Sequence, residues 1–430
     1  MNGEQSNIKE LITYHSKLTT LYLRNMLFAD VIGQQNTKQH LLEMVQQNRL
    51  SHALLFLGKE GSGALPLALA FSQYISLLPS SAKQNAGPSL FGEPVEEIKP
   101  VFPKTVEEAD GFMQKQNAFS KANNYVHPDI HFSYPVIPKK PGDKPVSTDY
   151  ITEWREFIQQ YAYGNVYDWL QFIGAENKQG NITSEECNDI LHKLNLKSFE
   201  SPYKILVLWM PEYLGKEGNK LLKLIEEPPA DTLFILVAEN EDLILPTILS
   251  RCQLVKLSIL ETKDITESLV KRGNIDRDKA QQTAAIAQGN YREALQLLQN
   301  ASEDWQSLLR EWLNTILKNG PSAQVKWIDE ISKLGREKQK QFLLYFIHLL
   351  QQSIHIRFGS NNAISIAETE NDFAQRLNNI ASAHHQQAII QELNKAVYYI
   401  ERNANAKMLF HSLTIKLYHI IKNNALILTD

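Results

Sequence analysis

The segment GKEGSGAL at residues 58–65 has the glycine spacing of a loop that wraps a phosphate. It follows the apolar run HALLFLG and precedes ALPLALAFSQYISLL, so it lies between a buried strand and a helix, the setting in which such a loop carries meaning. Gly58, Gly61 and Gly63 supply the turn. The two positions that phosphoryl chemistry needs, a lysine against the β- and γ-phosphates and a hydroxyl for magnesium, hold Ala64 and Leu65. An acid pair at the end of a second strand should hold the metal and polarise water, but ILVLWM ends in Trp209 and Met210, with Glu212 displaced beyond Pro211. Two independent losses at one site predict a nucleotide fold without competent nucleotide chemistry and with no ATP cofactor, although a backbone nest could still hold a weak anion.

Other reactive side chains are few. Arg251, between Ser250 and Cys252, is a cation that on its own reads as capping a helix end or pairing with a local acid. Cys187 and Cys252 are the only cysteines, which excludes a disulfide framework and any four-thiolate site, and both read as packing residues. His127 and His131 flank a proline that breaks helical i, i+4 geometry, and with no third ligand evident no metal is expected. The aromatic positions Trp305, Trp312, Trp327, Phe342 and Phe346 recur at helical spacing and read as core rather than as a ligand pocket.

The elements that must position these residues follow from patterning. Short apolar runs at 52–58, 129–134, 205–210, 233–238 and 253–257 alternate with helical periodicities, which predicts an α/β domain with a mostly parallel sheet. Residues 79–126 are polar, with scattered Pro and Gly, and read as an irregular insertion. From 261 to 301 the pattern is three short helices punctuated at Gly273 and Gly289. Residues 302–430 read as an all-helical bundle whose first helix is capped by Ser302, with Glu303 and Asp304 in its first turn.

Composition narrows the function. The 430 residues leave room for several domains, and 44 Lys+Arg against 48 Asp+Glu give a net charge of −4, so the surface as a whole is not the basic field of a protein that grips nucleic acid unaided. No run of 18 apolar residues appears, no membrane is implied, and a reducing, cytoplasmic compartment fits the cysteine usage.

The strings FADVIGQ at 28–34, NRLSHALLFLG at 48–58, NKLLKLIEEPP at 219–229 and LPTILSRCQ at 245–253 together resemble the clamp-loader family of AAA+ proteins. Within it the resemblance is to the delta-prime type of bacterial DNA polymerase III, a branch with a degraded phosphate loop. It covers roughly residues 27–300 and thins beyond. It implies an AAA+-like α/β domain at 27–260, a helical lid at 261–301 and a collar that holds subunits in a ring at 302–430; residues 1–26 are then an N-terminal extension or an upstream start. It also implies that Ser250-Arg251-Cys252 is the family's SRC motif, with Arg251 reaching the ATP of a neighbouring subunit and Ser250 and Cys252 supporting it. Arg292 stands where related ATPases carry a second nucleotide-sensing arginine, and here the favoured reading is a structural tie. The family's four-cysteine zinc module has no counterpart, so no zinc is expected. The implied partners are motor subunits of gamma/tau type, a delta subunit and, through the complex, the sliding clamp and primer-template DNA. The implied role is a non-hydrolysing subunit within a holoenzyme that polymerises DNA. Two alternatives stay open: an active ATPase subunit of the same loader, or a scaffold on a dead nucleotide fold.

Overall fold

The computed structural model describes residues 26–79, 102–175, 178–299, 304–358, 368–401 and 404–423. The N-terminal segment before Met26, the core of the insertion at 80–101, and Ser302 with Glu303 lie outside the described residues. The chain divides into two compact units, Met1–Ile275 with Gly289–Glu293, and Asp276–Gln288 with Ala294–Asp430. This division runs through the segment read as a lid. Among the described residues no helix is long and apolar enough to cross a membrane.

The first unit is built on a five-stranded, all-parallel sheet in the order β2-β3-β4-β1-β5, with β1 Ala53–Leu57, β2 Ile130–Ser133, β3 Lys204–Trp209, β4 Thr232–Ala238 and β5 Gln253–Lys256. β3 and β4 are buried along their whole length and β1 nearly so, because parallel strands covered on both faces need continuous rather than alternating apolar sequence. β5 is an edge, and only Val255 of its four residues is buried.

Helices α1 (Gln35–Gln46) and α2 (Ala64–Ser76) flank β1 in sequence. Every residue of α2 is buried, as a helix apolar on all sides requires, and Pro66 lies in its first turn, where its missing N–H costs nothing. The insertion is less irregular than its composition suggests. α3 (Val106–Gln114) and α4 (Phe119–Asn123) occupy it, and Thr105 caps α3 by accepting the Glu108 N–H at 3.2 Å while Glu108 accepts the Lys104 N–H at 2.7 Å.

α5 (Ile151–Gln160), α6 (Val166–Phe172) and α7 (Ser184–Asn195) follow β2, and the short helices α8 (Leu222–Glu226) and α9 (Pro246–Leu249) bracket β4. One sheet face, marked by Leu55, Leu206, Leu208, Phe234 and Leu236, packs on Cys187, Ile190 and Leu194 of α7. α10 (Thr262–Gly273) closes the main run of this unit.

In the second unit, α11 (Arg277–Ile286) and the end of α12 (Tyr291–Gln299) precede a bundle of α13 (Trp305–Asn314), α14 (Gly320–Ile331), α15 (Arg336–Phe358), α16 (Glu368–Ile380), α17 (Ala383–Glu401) and α18 (Ala406–Lys422). Asp304 caps α13: its carboxylate accepts the Ser307 N–H at 2.9 Å. The aromatic positions form the core. Trp312 stacks on Trp327 with ring centres 4.9 Å apart and planes 3° apart, and its indole N–H donates to Thr414 Oγ1 at 3.0 Å.

Candidate functional site: a filled phosphate loop and a surface arginine

The glycine-rich loop leaves the end of β1 and enters α2, as its spacing predicts. Gly61 and Gly63 have φ of +71° and +93°, the left-handed region in which glycine is favoured. What surrounds the loop sets it apart from an open anion cradle. A Cβ at Gly61 would lie 1.9 Å from Asn290 Oδ1, and one at Gly63 would lie 3.2 Å from the Tyr163 ring. The Tyr163 hydroxyl in turn accepts the Ile32 N–H at 2.8 Å.

Charge at the loop is handled internally. Arg292, with 3% of its side chain exposed, donates from Nη2 to Asp168 Oδ1 at 2.7 Å, from Nε to Asp168 Oδ2, and from Nη1 to Glu60 Oε1 at 3.1 Å. Glu60 belongs to the loop itself. Its carboxylate also accepts from Asn290 Nδ2 at 2.9 Å and from Asn165 Nδ2 at 2.8 Å. Asn165 and Asp168 cap α6 reciprocally, Asn165 Oδ1 accepting the Asp168 N–H and Asp168 Oδ2 accepting the Asn165 N–H. The loop is thus tied to α6 and to residues 290–292 by side chains of this chain. The cleft beside it is lined by Gly58, Gly63, Ala64, Tyr163, Trp209 and Met210 among others.

The strand end that would carry the acid pair is occupied by an aromatic cluster. Trp209 packs 5.1 Å from Trp154 and 6.0 Å from Phe157, and Trp154 stacks on Tyr134 at 4.0 Å. Glu212 lies at the start of the segment that follows β3, beyond Pro211. Its Oε1 accepts the N–H groups of Glu239 at 2.7 Å and Asn240 at 2.9 Å, tying the end of β3 to the end of β4, and burial raises its pKa.

Arg251 follows α9, just before β5. Its side chain is 32% exposed, and its guanidinium donates to Thr247 O at 2.9 Å, Ser250 Oγ at 3.3 Å and Glu226 Oε2 at 3.1 Å. Arg251 is thus locally paired and at the same time partly exposed. Cys252, one residue on, packs against the sheet core, and burial pushes its thiol up to about 11; Cys187 is pushed up equally. His127 Nδ1 accepts the Asp129 N–H at 3.2 Å, and burial lowers the pKa of His131 to about 4. Among the described residues no group of three or more His, Cys, Asp or Glu could hold a metal ion.

Sequence reasoning missed Glu60, Asn165, Asp168 and Asn290, the partners that fill the loop. Asn165-x-x-Asp168 is legible as a helix cap, but nothing local reveals that the same aspartate meets an arginine 124 positions away.

Residues 104–261 match the family model described as DNA polymerase III, delta subunit. The chain is 33% identical over 212 residues to DNA polymerase III subunit gamma of Buchnera aphidicola subsp. Acyrthosiphon pisum, covering 43% of this chain and 58% of that protein. It is 24% identical over 260 residues to DNA polymerase III subunit delta' of Bacillus subtilis, covering 60% of this chain and 57% of the relative. Little more than half the length of either relative is therefore spanned. A gamma subunit-related protein of Thermotoga maritima aligns in structure over 88% of this chain and 99% of its own at 14% identity, with a TM-score of 0.33. By its sequence matches the chain is similar to DNA polymerase III subunits named delta', gamma and tau.

Proposed function

We propose that this chain is the delta-prime-type subunit of a bacterial DNA polymerase III clamp loader. In this reading it does not hydrolyse ATP itself. It presents Arg251 to ATP held by an adjacent motor subunit of gamma/tau type, in a cytoplasmic hetero-oligomer that also contains a delta subunit. The assembly opens the ring-shaped sliding clamp and leaves it on primed DNA for the polymerase. DNA contact is shared among subunits, in keeping with the net charge of −4.

The observation that carries this reading is the contrast between two cations of one unit. Arg292 is buried and spent on Asp168 and Glu60 at the chain's own loop, whereas Arg251 stands at the surface on a weak, exposed pair. A buried arginine bonded to two carboxylates cannot turn to a nucleotide without leaving both without their cation. An exposed one can exchange its partner for phosphate, and a guanidinium placed on a transferring phosphoryl group in trans contributes about 10³ to 10⁵ in rate.

The test is reconstitution. The chain alone should show no ATP turnover above background. Added to gamma/tau-type and delta subunits with clamp and primed DNA, it should co-elute with them and raise turnover. ATP turnover by the purified chain would instead support an active motor subunit, and failure to associate would leave a scaffold unrelated to the loader.

A further inference from the structure

The guanidinium that the proposed function sends to a neighbour's phosphate has a partner at home for each of its three nitrogens. Nε and Nη2 of Arg251 both donate to Glu226 Oε2, at 3.3 and 3.1 Å, and Nη1 donates to Thr247 O and Ser250 Oγ. All three nitrogens of the fork are taken, and the edge that would clamp a phosphate is held by a carboxylate, the side chain that most resembles it in charge and shape. Glu226 is the last residue of α8. Glu227, Pro228 and Pro229 follow, and a proline disfavours helical backbone in the residue before it, so the helix stops with the Glu226 carboxylate beside Arg251. The Glu226 side chain is 57% exposed, and among the described residues it bonds only to Arg251.

We infer that Glu226 is a positioning residue that parks Arg251 in an intramolecular stand-in for the trans phosphate and so sets how readily the arginine engages ATP on the neighbouring subunit. This rests on the trans-arginine reading above. The pair suits exchange: an exposed carboxylate–guanidinium contact is weak, whereas a γ-phosphate with its greater negative charge is a stronger partner for the same donors. Glu226 opposes the exchange twice, by occupying the fork and by repelling the incoming phosphate. Neutralising it relieves both effects in the same direction.

The experiment uses the assembled complex of this chain with gamma/tau-type and delta subunits, clamp and primed DNA, and measures ATP hydrolysis against ATP concentration. It compares wild type, Glu226→Gln, Arg251→Ala and the double variant. Glu226→Gln should raise kcat/KM about two- to fivefold, the range an exposed ion pair supports, and the gain should vanish in the Arg251→Ala background. A merely structural surface pair would change neither quantity. If Arg251→Ala lowers turnover while Glu226→Gln leaves kcat/KM unchanged or reduces it, the parking role is wrong and the trans-arginine reading survives. A gain that persists without Arg251 also overturns the parking role. If Arg251→Ala behaves as wild type, the parking role and the reading beneath it fail together.

Discussion

Arg292 and Asp168 meet through two parallel hydrogen bonds across 124 positions of sequence, and the remaining nitrogen of the same guanidinium holds Glu60 in the glycine-rich loop. The three charges are mostly buried, with side-chain exposures of 3%, 14% and 19%. Removing the arginine would leave two carboxylates uncompensated in a poorly solvated place.

Arg292→Ala should therefore destabilise the first unit by about 3–5 kcal/mol, the usual consequence of stripping one partner from a buried ion pair. Arg292→Lys should recover less than half of that, because an ammonium cannot reproduce the fork. Urea unfolding followed by tryptophan fluorescence measures both. A loss below about 1 kcal/mol for the alanine variant would contradict the tie.

Glu212 gives a prediction of the opposite kind. Burial raises its pKa above the unfolded value, so the charged form is disfavoured in the fold, and its contribution to stability falls as pH rises through that raised value. Glu212→Gln keeps an oxygen acceptor for the Glu239 and Asn240 N–H groups and sheds the buried charge. At pH 7 it should be at least as stable as wild type and assemble into complexes with unchanged turnover. Glu212→Ala orphans two donors and should cost about 1–3 kcal/mol. Loss of complex turnover in a folded Glu212→Gln protein would return this residue to the nucleotide chemistry.

The cysteines report on burial. With both thiols pushed up to about 11, the thiolate fraction at pH 8 is on the order of 10⁻³, roughly a hundredfold below that of an ordinary thiol near 9. Iodoacetamide should label the native protein slowly, with the rate rising about tenfold per pH unit up to that value, and label the urea-unfolded protein quickly. Rapid native labelling at pH 8 would place Cys252 in a reactive rather than a packing role.

The sheet was legible because β1, β3 and β4 are short unbroken apolar runs, a pattern that only strands buried on both faces need, and because the glycine loop followed the first of them directly. The helices inside the insertion were obscured by a polar composition, although Thr105-x-x-Glu108 is a capping signal that sequence alone contains. The filling of the loop was not legible. Ala64, Leu65 and Trp209 reveal what is missing from the site, but its replacement by Glu60, Asp168, Asn290 and Arg292 is a set of contacts between segments whose proximity only the fold creates. The pairing of Arg251 with Glu226 escaped for the same reason, although the two side chains are 25 positions apart.

The central claim is that Arg251 acts on another subunit's ATP. Clamp- and primed-DNA-stimulated ATP hydrolysis by the assembled loader, compared between wild type, Arg251→Ala and Arg251→Lys at matched assembly, tests it most directly. The account predicts a loss of at least about tenfold in turnover for alanine and only partial recovery by lysine, which restores the charge without the bidentate fork. Complexes that assemble normally and hydrolyse ATP at the wild-type rate without Arg251 would contradict it.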